Sequence, residues 1–419
     1  MALRVGGVLL LFGFTFFITN TYPARIVGQY DFVRSFLLVV GSLCLLGTDQ
    51  SILYFSGKLR SSNSIFSLLD VYRKMLRIIF FVSCIIFLGV LAVGERVLTP
   101  FFNDPQVFSL LLKASAILFF HSLTLLNTEV FRAINMNNVS EVLRNIIKYV
   151  PVIIAALVLP SMNLMERLPD CFLLGFILLG IGTTIMAFYY LRKMKNIGTA
   201  HTTSVKEIVI TSYPIAVSSM AIFLLMAIDV MFLKKYFGDE VVAYYGVVIK
   251  LMTILSVIVL TINVTISTKI AELYTSQDHS QLLKVVRNGG KMIFLLTSPA
   301  AVLLCLFPST ILNLFGEGYA SAREALIIVV IGQWICSFFG IVPIYLNMTG
   351  KQHMLQYILV TAVVFNFILN SILIPQYGMK GAAVSFSLSA IFWHFLGVLT
   401  MIRKDNINLF KKNESTSRN

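Results

Sequence analysis

Cutting the sequence at its charged and Pro/Gly-rich clusters leaves a succession of apolar stretches, most of them about 20 residues long or longer. A bilayer core needs about that length of helix to span it. The stretches fall near residues 3–22, 33–55, 76–98, 108–128, 145–160, 171–191, 207–233, 241–268, 291–314, 325–347, 354–374 and 381–402. The fifth, 145–160, is the shortest. Twelve spans in 419 residues leave no room for a folded domain outside the membrane. The expected fold class is therefore an all-α polytopic membrane protein, because backbone in hydrocarbon must satisfy its own hydrogen bonds. Charged residues make up 12% of the chain and mean hydropathy is +0.86, which excludes a water-soluble globular enzyme.

The net charge is +14, and its distribution speaks against nucleic acid as a partner. Counted over alternate connections, one set of loops and both termini holds 23 Lys and Arg while the opposite set holds 9. Lys250 belongs to neither because it lies inside a span. By the positive-inside rule both termini are expected in the cytoplasm, and the clean alternation supports an even number of spans. The two longest connections, 192–206 and 269–290, fall on the basic side. The first separates six spans from six. The expected organisation is an N-terminal lobe at 1–195, a linker at 196–206, a C-terminal lobe at 207–402 and a basic tail at 403–419. ARIVG (24–28) after span 1 and KKYFG (234–238) after span 7 each precede an acidic and aromatic turn, a faint echo of an internal repeat.

Ionisable groups inside hydrocarbon are expensive and are the natural functional candidates. Lys250 lies about 15 Å from the end of span 8, near the bilayer midplane. It either pairs with Asp229 of span 7 or faces a central cavity and meets an anionic substrate. Arg25 and Arg34 flank Asp31 after span 1, as a rim ion pair or half of a gate. Glu141, Arg144 and Lys148 are spaced to share one helical face, which either attracts an anionic headgroup or is an ordinary basic flank. Asp49 lies within reach of Lys58. His121 and His394 sit within spans, as hydrogen-bonded structure or as proton-coupling groups.

Pro214, Pro299 and Pro343, with Pro151, fall inside spans and are expected to kink them as hinges. No metal-spaced cluster, Gly-rich phosphate loop or nucleophile motif occurs, so no metal, cofactor or catalytic residue is expected. The five cysteines, Cys44, Cys84, Cys171, Cys305 and Cys336, show no CxxC pairing and read as packing residues. No cleavable signal peptide is expected, since the first apolar stretch runs into Tyr22-Pro23-Ala24-Arg25 without a small-residue cleavage site.

Four stretches resemble a known family: PARIVGQYDFV (23–33), PIAVSSMAIFLLMAIDVMFLKKYFGDEVVAYYGVVIKL (214–251), LFPSTILNLFGEGYASAREAL (306–326) and LIPQYGMKGAAVSFSLS (373–389). Together they look like the polysaccharide-transport branch of the multidrug/oligosaccharidyl-lipid/polysaccharide exporter superfamily, which includes O-antigen and exopolysaccharide flippases of bacterial inner membranes. The resemblance implies two six-helix lobes around a central cavity opening alternately to each side. It implies a flippase, not an enzyme, moving an undecaprenyl-pyrophosphate-linked oligosaccharide to the periplasmic leaflet. Membrane lipids and a polysaccharide polymerase with its chain-length machinery are the implied partners. On this reading Lys250, Arg25, Arg34, Arg144 and Lys148 are the cavity cations, and Asp229, Asp49 and His121 the coupling or structural ion-pair groups. The chain departs from the family in a shorter N-terminus and in a compressed first turn, Gly28-Gln29-Tyr30-Asp31-Phe32. The alternative reading is a multidrug or cation antiporter of the same superfamily.

Overall fold

The computed structural model describes residues 2–62, 64–194 and 202–405. Most of the expected linker and of the basic tail, and Lys195 at the end of the expected N-terminal lobe, lie outside the described residues. The first half contains α1 (Ala2–Thr21), α2 (Ala24–Leu45), α3 (Thr48–Ser61), α4 (Leu68–Val93), α5 (Glu95–Phe102), α6 (Val107–Ala133), α7 (Asn137–Asn145), α8 (Val150–Val158) and α9 (Leu168–Arg192). The second contains α10 (Val205–Phe237), α11 (Asp239–Thr275), α12 (His279–Leu306), α13 (Pro308–Asn313), α14 (Arg323–Phe338), α15 (Val342–Met348), α16 (Gln352–Tyr377) and α17 (Met379–Asp405). Among the described residues there is no strand. Eleven helical stretches are long and apolar enough to cross a membrane.

The fifth expected span, 145–160, is not one of those eleven. It is replaced by two nine-residue helices, α7 and α8, joined through a short 3-10 turn at Ile147–Tyr149. The segment still runs the length of α1. At one end Arg4 grips Glu141 through two hydrogen bonds of 2.7 and 3.0 Å, and at the other the Tyr22 hydroxyl donates to the Ala156 carbonyl at 2.8 Å. It thus lies alongside α1 as two short helices in place of one continuous span. Pro151 sits in the first turn of α8, where its missing N–H is one of the orphans of a helix start.

Contacts at the helix ends bear on the alternation. Arg4–Glu141, Arg60–Asn135, Lys58–Glu207 and Lys351–Asp405 join segments assigned to the basic face. Lys113–Asp170, Lys234–Asp104 and Lys380–Glu324 join segments assigned to the opposite one. Each of these pairs joins segments of one set.

Within the N-terminal lobe, α6 is the central helix, packed on α9, α2, α4 and α3. Its Asn127 accepts from the Tyr72 hydroxyl at 2.7 Å and donates to Thr183 and Thr184 of α9 at 3.0 and 2.9 Å. Such cross-helix polar ties hold helices together where lipid is as apolar as the interface. Gly180 lets α9 approach α6, since a Cβ there would stand 2.7 Å from the Phe120 carbonyl oxygen.

The lobes meet along α2 and α3 on one side and α10 and α11 on the other. Gly28 backs onto Asp239, whose carbonyl oxygen would be 1.8 Å from an added Cβ. Gly246 backs onto the Asp31 carboxylate, at 2.4 Å from such an atom. Near the basic face Leu46 and Gly47 both take left-handed conformations, which ends α2 and starts α3. Gly47 lies against the Ser212 carbonyl of α10, and the Ser51 and Ser212 hydroxyls bond at 2.6 Å. The interface is therefore closed towards both membrane faces.

Candidate functional site

Pro23 stops α1, and α2 begins at once at Ala24. The Gly28–Phe32 run expected as a turn is helical instead, because its apolar and aromatic residues pack between the lobes. This places Asp31 and Arg34 within α2. Asp31 is 2% exposed and Lys250 of α11 is also 2% exposed; their Nζ–oxygen distance is 2.8 Å. The expected Lys250–Asp229 pair is not formed, since Lys250 reaches across the lobe interface to Asp31. Neither Lys250 nor Arg25 lines the cavities described below. Arg25 lies at the opposite face and donates to Gln106 at 3.0 Å, a bond shared by Gln29.

Asp229, expected in an ion pair, is in none among the described residues. The Tyr245 hydroxyl donates to one of its oxygens at 3.0 Å and the Asn370 amide to the other at 2.6 Å; Asn370 also donates to Asn366 at 3.0 Å. All three of Asp229, Asn366 and Asn370 are fully buried, and the Asn366 amide nitrogen and Asn370 carbonyl oxygen have no partner. Sequence reasoning missed the two asparagines, though their i, i+4 spacing inside an apolar span is a readable signal.

Two cavities open in the membrane region, one per lobe. The first, about 300 Å³, lies in the N-terminal lobe and is lined by Arg34, Arg144 and Lys148 together with Asp49, Glu129 and His121. Arg144 pairs with Glu129, which also lies 3.6 Å from Arg132. The expected single face of Glu141, Arg144 and Lys148 is broken at Ile146. Glu141 turns away to Arg4, while Arg144 and Lys148 turn inward; the break in the fifth span is what aims them. Arg4 hydrogen-bonds Glu141 and holds its carboxyl below the usual carboxylate range. Asp49 does not meet Lys58, which pairs with Glu207 at 2.7 Å; Asp49 accepts from Gln50 at 3.3 Å. His121 is buried against Phe176 and Gly41, and its Nδ1 has no partner.

The second cavity, about 310 Å³, lies in the C-terminal lobe, and among the described residues no Asp, Glu, Lys or Arg lines it. It sits beside the gap between α14 and α15, where the helix breaks over Phe339–Ile341. Pro343, expected to kink a continuous span, instead falls in the first turn of α15, where proline is compatible with helix. Pro214 and Pro299 do lie inside helices, α10 and α12. The Pro214 carbonyl accepts from the Gln356 amide, so α16 braces α10 there. His394, also on this cavity, bonds its own Ala390 carbonyl at 2.8 Å.

Solved transporters share this arrangement of helices. An inward-facing multidrug-resistance MATE family transporter superposes with TM-score 0.73 at 13% identity, covering 94% of this chain and 93% of that one. The lipid II flippase MurJ in its inward closed conformation gives 0.71 at 14% identity, covering 95% and 85%. A transporter of the multidrug/oligosaccharidyl-lipid/polysaccharide superfamily from Pyrococcus furiosus gives 0.68 at 13% identity, covering 98% and 94%. The fold is that of the MATE and MurJ transporters. Residues 214–372 also match the MatE family, so the second half carries that signature in sequence as well. An uncharacterized membrane protein of Methanocaldococcus jannaschii is 33% identical over 118 residues, 27% of this chain. The match spans about a fifth of that protein's length, 22%.

Proposed function

We propose that this chain is a flippase of the multidrug/oligosaccharidyl-lipid/polysaccharide exporter superfamily. Its substrate is an undecaprenyl-pyrophosphate-linked oligosaccharide, an O-antigen or other surface polysaccharide repeat unit, carried from the cytoplasmic to the periplasmic leaflet of a bacterial inner membrane. Both termini lie in the cytoplasm, on the face bearing 23 of the counted basic residues. One observation carries the reading: Arg34, Arg144 and Lys148 converge on one cavity inside a membrane lobe. Arg144 is paired with Glu129, but Arg34 and Lys148 form no ion pair among the described residues, and cations at that depth are expensive unless an anion meets them. A diphosphate supplies that anion, while its polyprenyl tail stays in lipid. A polysaccharide polymerase receives the product.

Lys250 and Asp31 then act between the lobes. Their buried pair closes α2 on α11, and opening the path for a head group requires it to part. Asp229 is the coupling group: a carboxylate in hydrocarbon without a cation beside it needs a proton or a metal cation to stay there. Outward movement of an anion is favoured in a cell negative inside by about 2.3 kcal/mol per charge per 100 mV. Coupling energy therefore serves to reset the carrier or release the head.

A second reading, a multidrug or cation antiporter, draws on Asp49 and Glu129, which line the same cavity and suit a cationic cargo. Proteoliposomes separate the two. Protein-dependent crossing of a labelled polyprenyl-pyrophosphate oligosaccharide supports the flippase. Export of a lipophilic cation with no crossing of several glycans replaces it with the antiporter.

A further inference from the structure

The second cavity differs from the first in kind. Among the described residues five charged side chains line the N-terminal-lobe cavity and none lines the C-terminal-lobe one, although a single helix divides them: Phe223 of α10 faces the first, and Ile222, Leu225 and Met226 face the second.

The uncharged cavity nevertheless carries polar side chains on its wall. Asn263 of α11 donates its amide to the Gly340 carbonyl at 2.8 Å, satisfying a backbone group freed by the break between α14 and α15. Its own carbonyl oxygen is buried and has no partner, with Asn263 only 9% exposed. His394 bonds Ala390 through Nδ1; with that nitrogen as donor in the neutral tautomer, Nε2 is left as an acceptor. Gln333 is half-buried and makes no side-chain hydrogen bond to the described residues. Trp393 adds an aromatic ring to the wall.

Each property excludes a class of ligand. A charged ligand would be buried without a counter-charge, a heavy desolvation penalty. A pure hydrocarbon would leave the Gln333 amide and the His394 Nε2 on the cavity wall without a hydrogen-bond partner. The volume lies at the small end of ligand sites, which run from about 300 to 1,000 Å³, so it holds one ring and not a whole oligosaccharide. What fits is a compact ring with hydroxyl donors at its edge and C–H groups on its face to lie against an indole. We infer that the C-terminal-lobe cavity is a subsite for one uncharged sugar ring. The inference rests on the flippase reading and deepens it: the charged and the neutral parts of one head group occupy neighbouring cavities, on the two sides of α10.

The chain has two tryptophans, Trp334 and Trp393. Trp334 donates to Ser298 at 2.9 Å and does not line the cavity, so Trp334→Phe leaves Trp393 as the sole indole reporter. The chain carrying that change, held in nanodiscs free of glycoside detergent, is titrated with methyl glucoside, methyl galactoside, N-acetylglucosamine, glucuronate and geraniol. Inorganic pyrophosphate binding is followed by calorimetry on the same sample. The expected result is a saturable change in Trp393 fluorescence with at least one neutral sugar, about tenfold weaker in Asn263→Leu and in Gln333→Leu. Arg144→Gln leaves it unchanged. Gln333→Leu keeps the test informative if Asn263→Leu loosens the helix break, and thermal unfolding checks both. No response to any sugar, a response to geraniol alone, or an equal response to glucuronate overturns the sugar subsite. If pyrophosphate still binds, that failure is confined to the subsite. A sugar response without pyrophosphate binding sinks the flippase reading instead.

Discussion

Lys250→Met removes a charge from a pair that both partners bury almost completely, while keeping the length of the side chain. The Asp31 carboxylate is then stranded between α2 and α11. Both of its oxygens lie 2.8 Å from the Lys250 Nζ, so both lose their cation, and Gly246 packs directly against the carboxylate. Breaking a buried ion pair from one side destabilises by about 3–5 kcal/mol, whereas replacing both partners by neutral groups is close to neutral. Since this pair joins the lobes, the loss falls on the closed interface. At about 1.4 kcal/mol per factor of ten, the closed-to-open ratio should drop by two to three and a half powers of ten. The double variant Asp31→Asn/Lys250→Met should recover most of that. Spin labels at Ser109→Cys and Ser321→Cys, one in each lobe, report the separation by pulsed electron resonance in a background without the five native cysteines. The single variant should broaden and lengthen the distance distribution, and the double should narrow it again. A double variant as open as the single, or a single indistinguishable from the parent, would falsify the latch.

Further outcomes follow from the same geometry. In proteoliposomes, Lys250→Ala should slow crossing of the polyprenyl-linked glycan at unchanged protein level, with Lys250→Arg retaining more; normal crossing by the alanine variant removes the residue from transport. Arg144→Gln with Lys148→Gln should weaken pyrophosphate binding by at least about tenfold, read by calorimetry, because two of the three cations of the first cavity are lost. Gly28→Ala puts a methyl group 1.8 Å from a backbone oxygen of Asp239, so overpacking of about 1–3 kcal/mol or more should lower the thermal midpoint, and an unchanged midpoint would mean the lobes do not close here. Glu141 is held below its ordinary value by Arg4, so their bond stabilises above the unfolded-state value and is lost as pH falls through the folded one. Half-exposed as the pair is, the effect is at most about 1 kcal/mol. The difference in thermal midpoint between the parent and Arg4→Gln should shrink on acidification, and a difference independent of pH would assign it to packing alone.

Much of the architecture is legible in the chain itself. Apolar length fixes where helices cross, since hydrocarbon admits no unsatisfied backbone, and the alternation of Lys and Arg assigns their ends to two faces. Pairs such as Lys58–Glu207 and Lys113–Asp170 keep to those faces. Arg34, Arg144, Lys148, Asp49 and His121 could also be singled out as candidates, because they are ionisable groups at the ends of apolar stretches or within them. What they touch was not. Lys250 looked to Asp229, its neighbour along the chain, yet its partner lies 219 residues away in the other lobe. The reason is a property of the solvent. A helix in water shows its buried face as an apolar stripe, but lipid and protein interior are equally apolar, so these helices carry no mark of how they are rotated about their axes. Sequence therefore determined the candidate crossings and which of their ends share a face. Only tertiary packing decided which way each side chain points, where α7 and α14 break, and hence that charge lines the cavity of one lobe and, among the described residues, not that of the other.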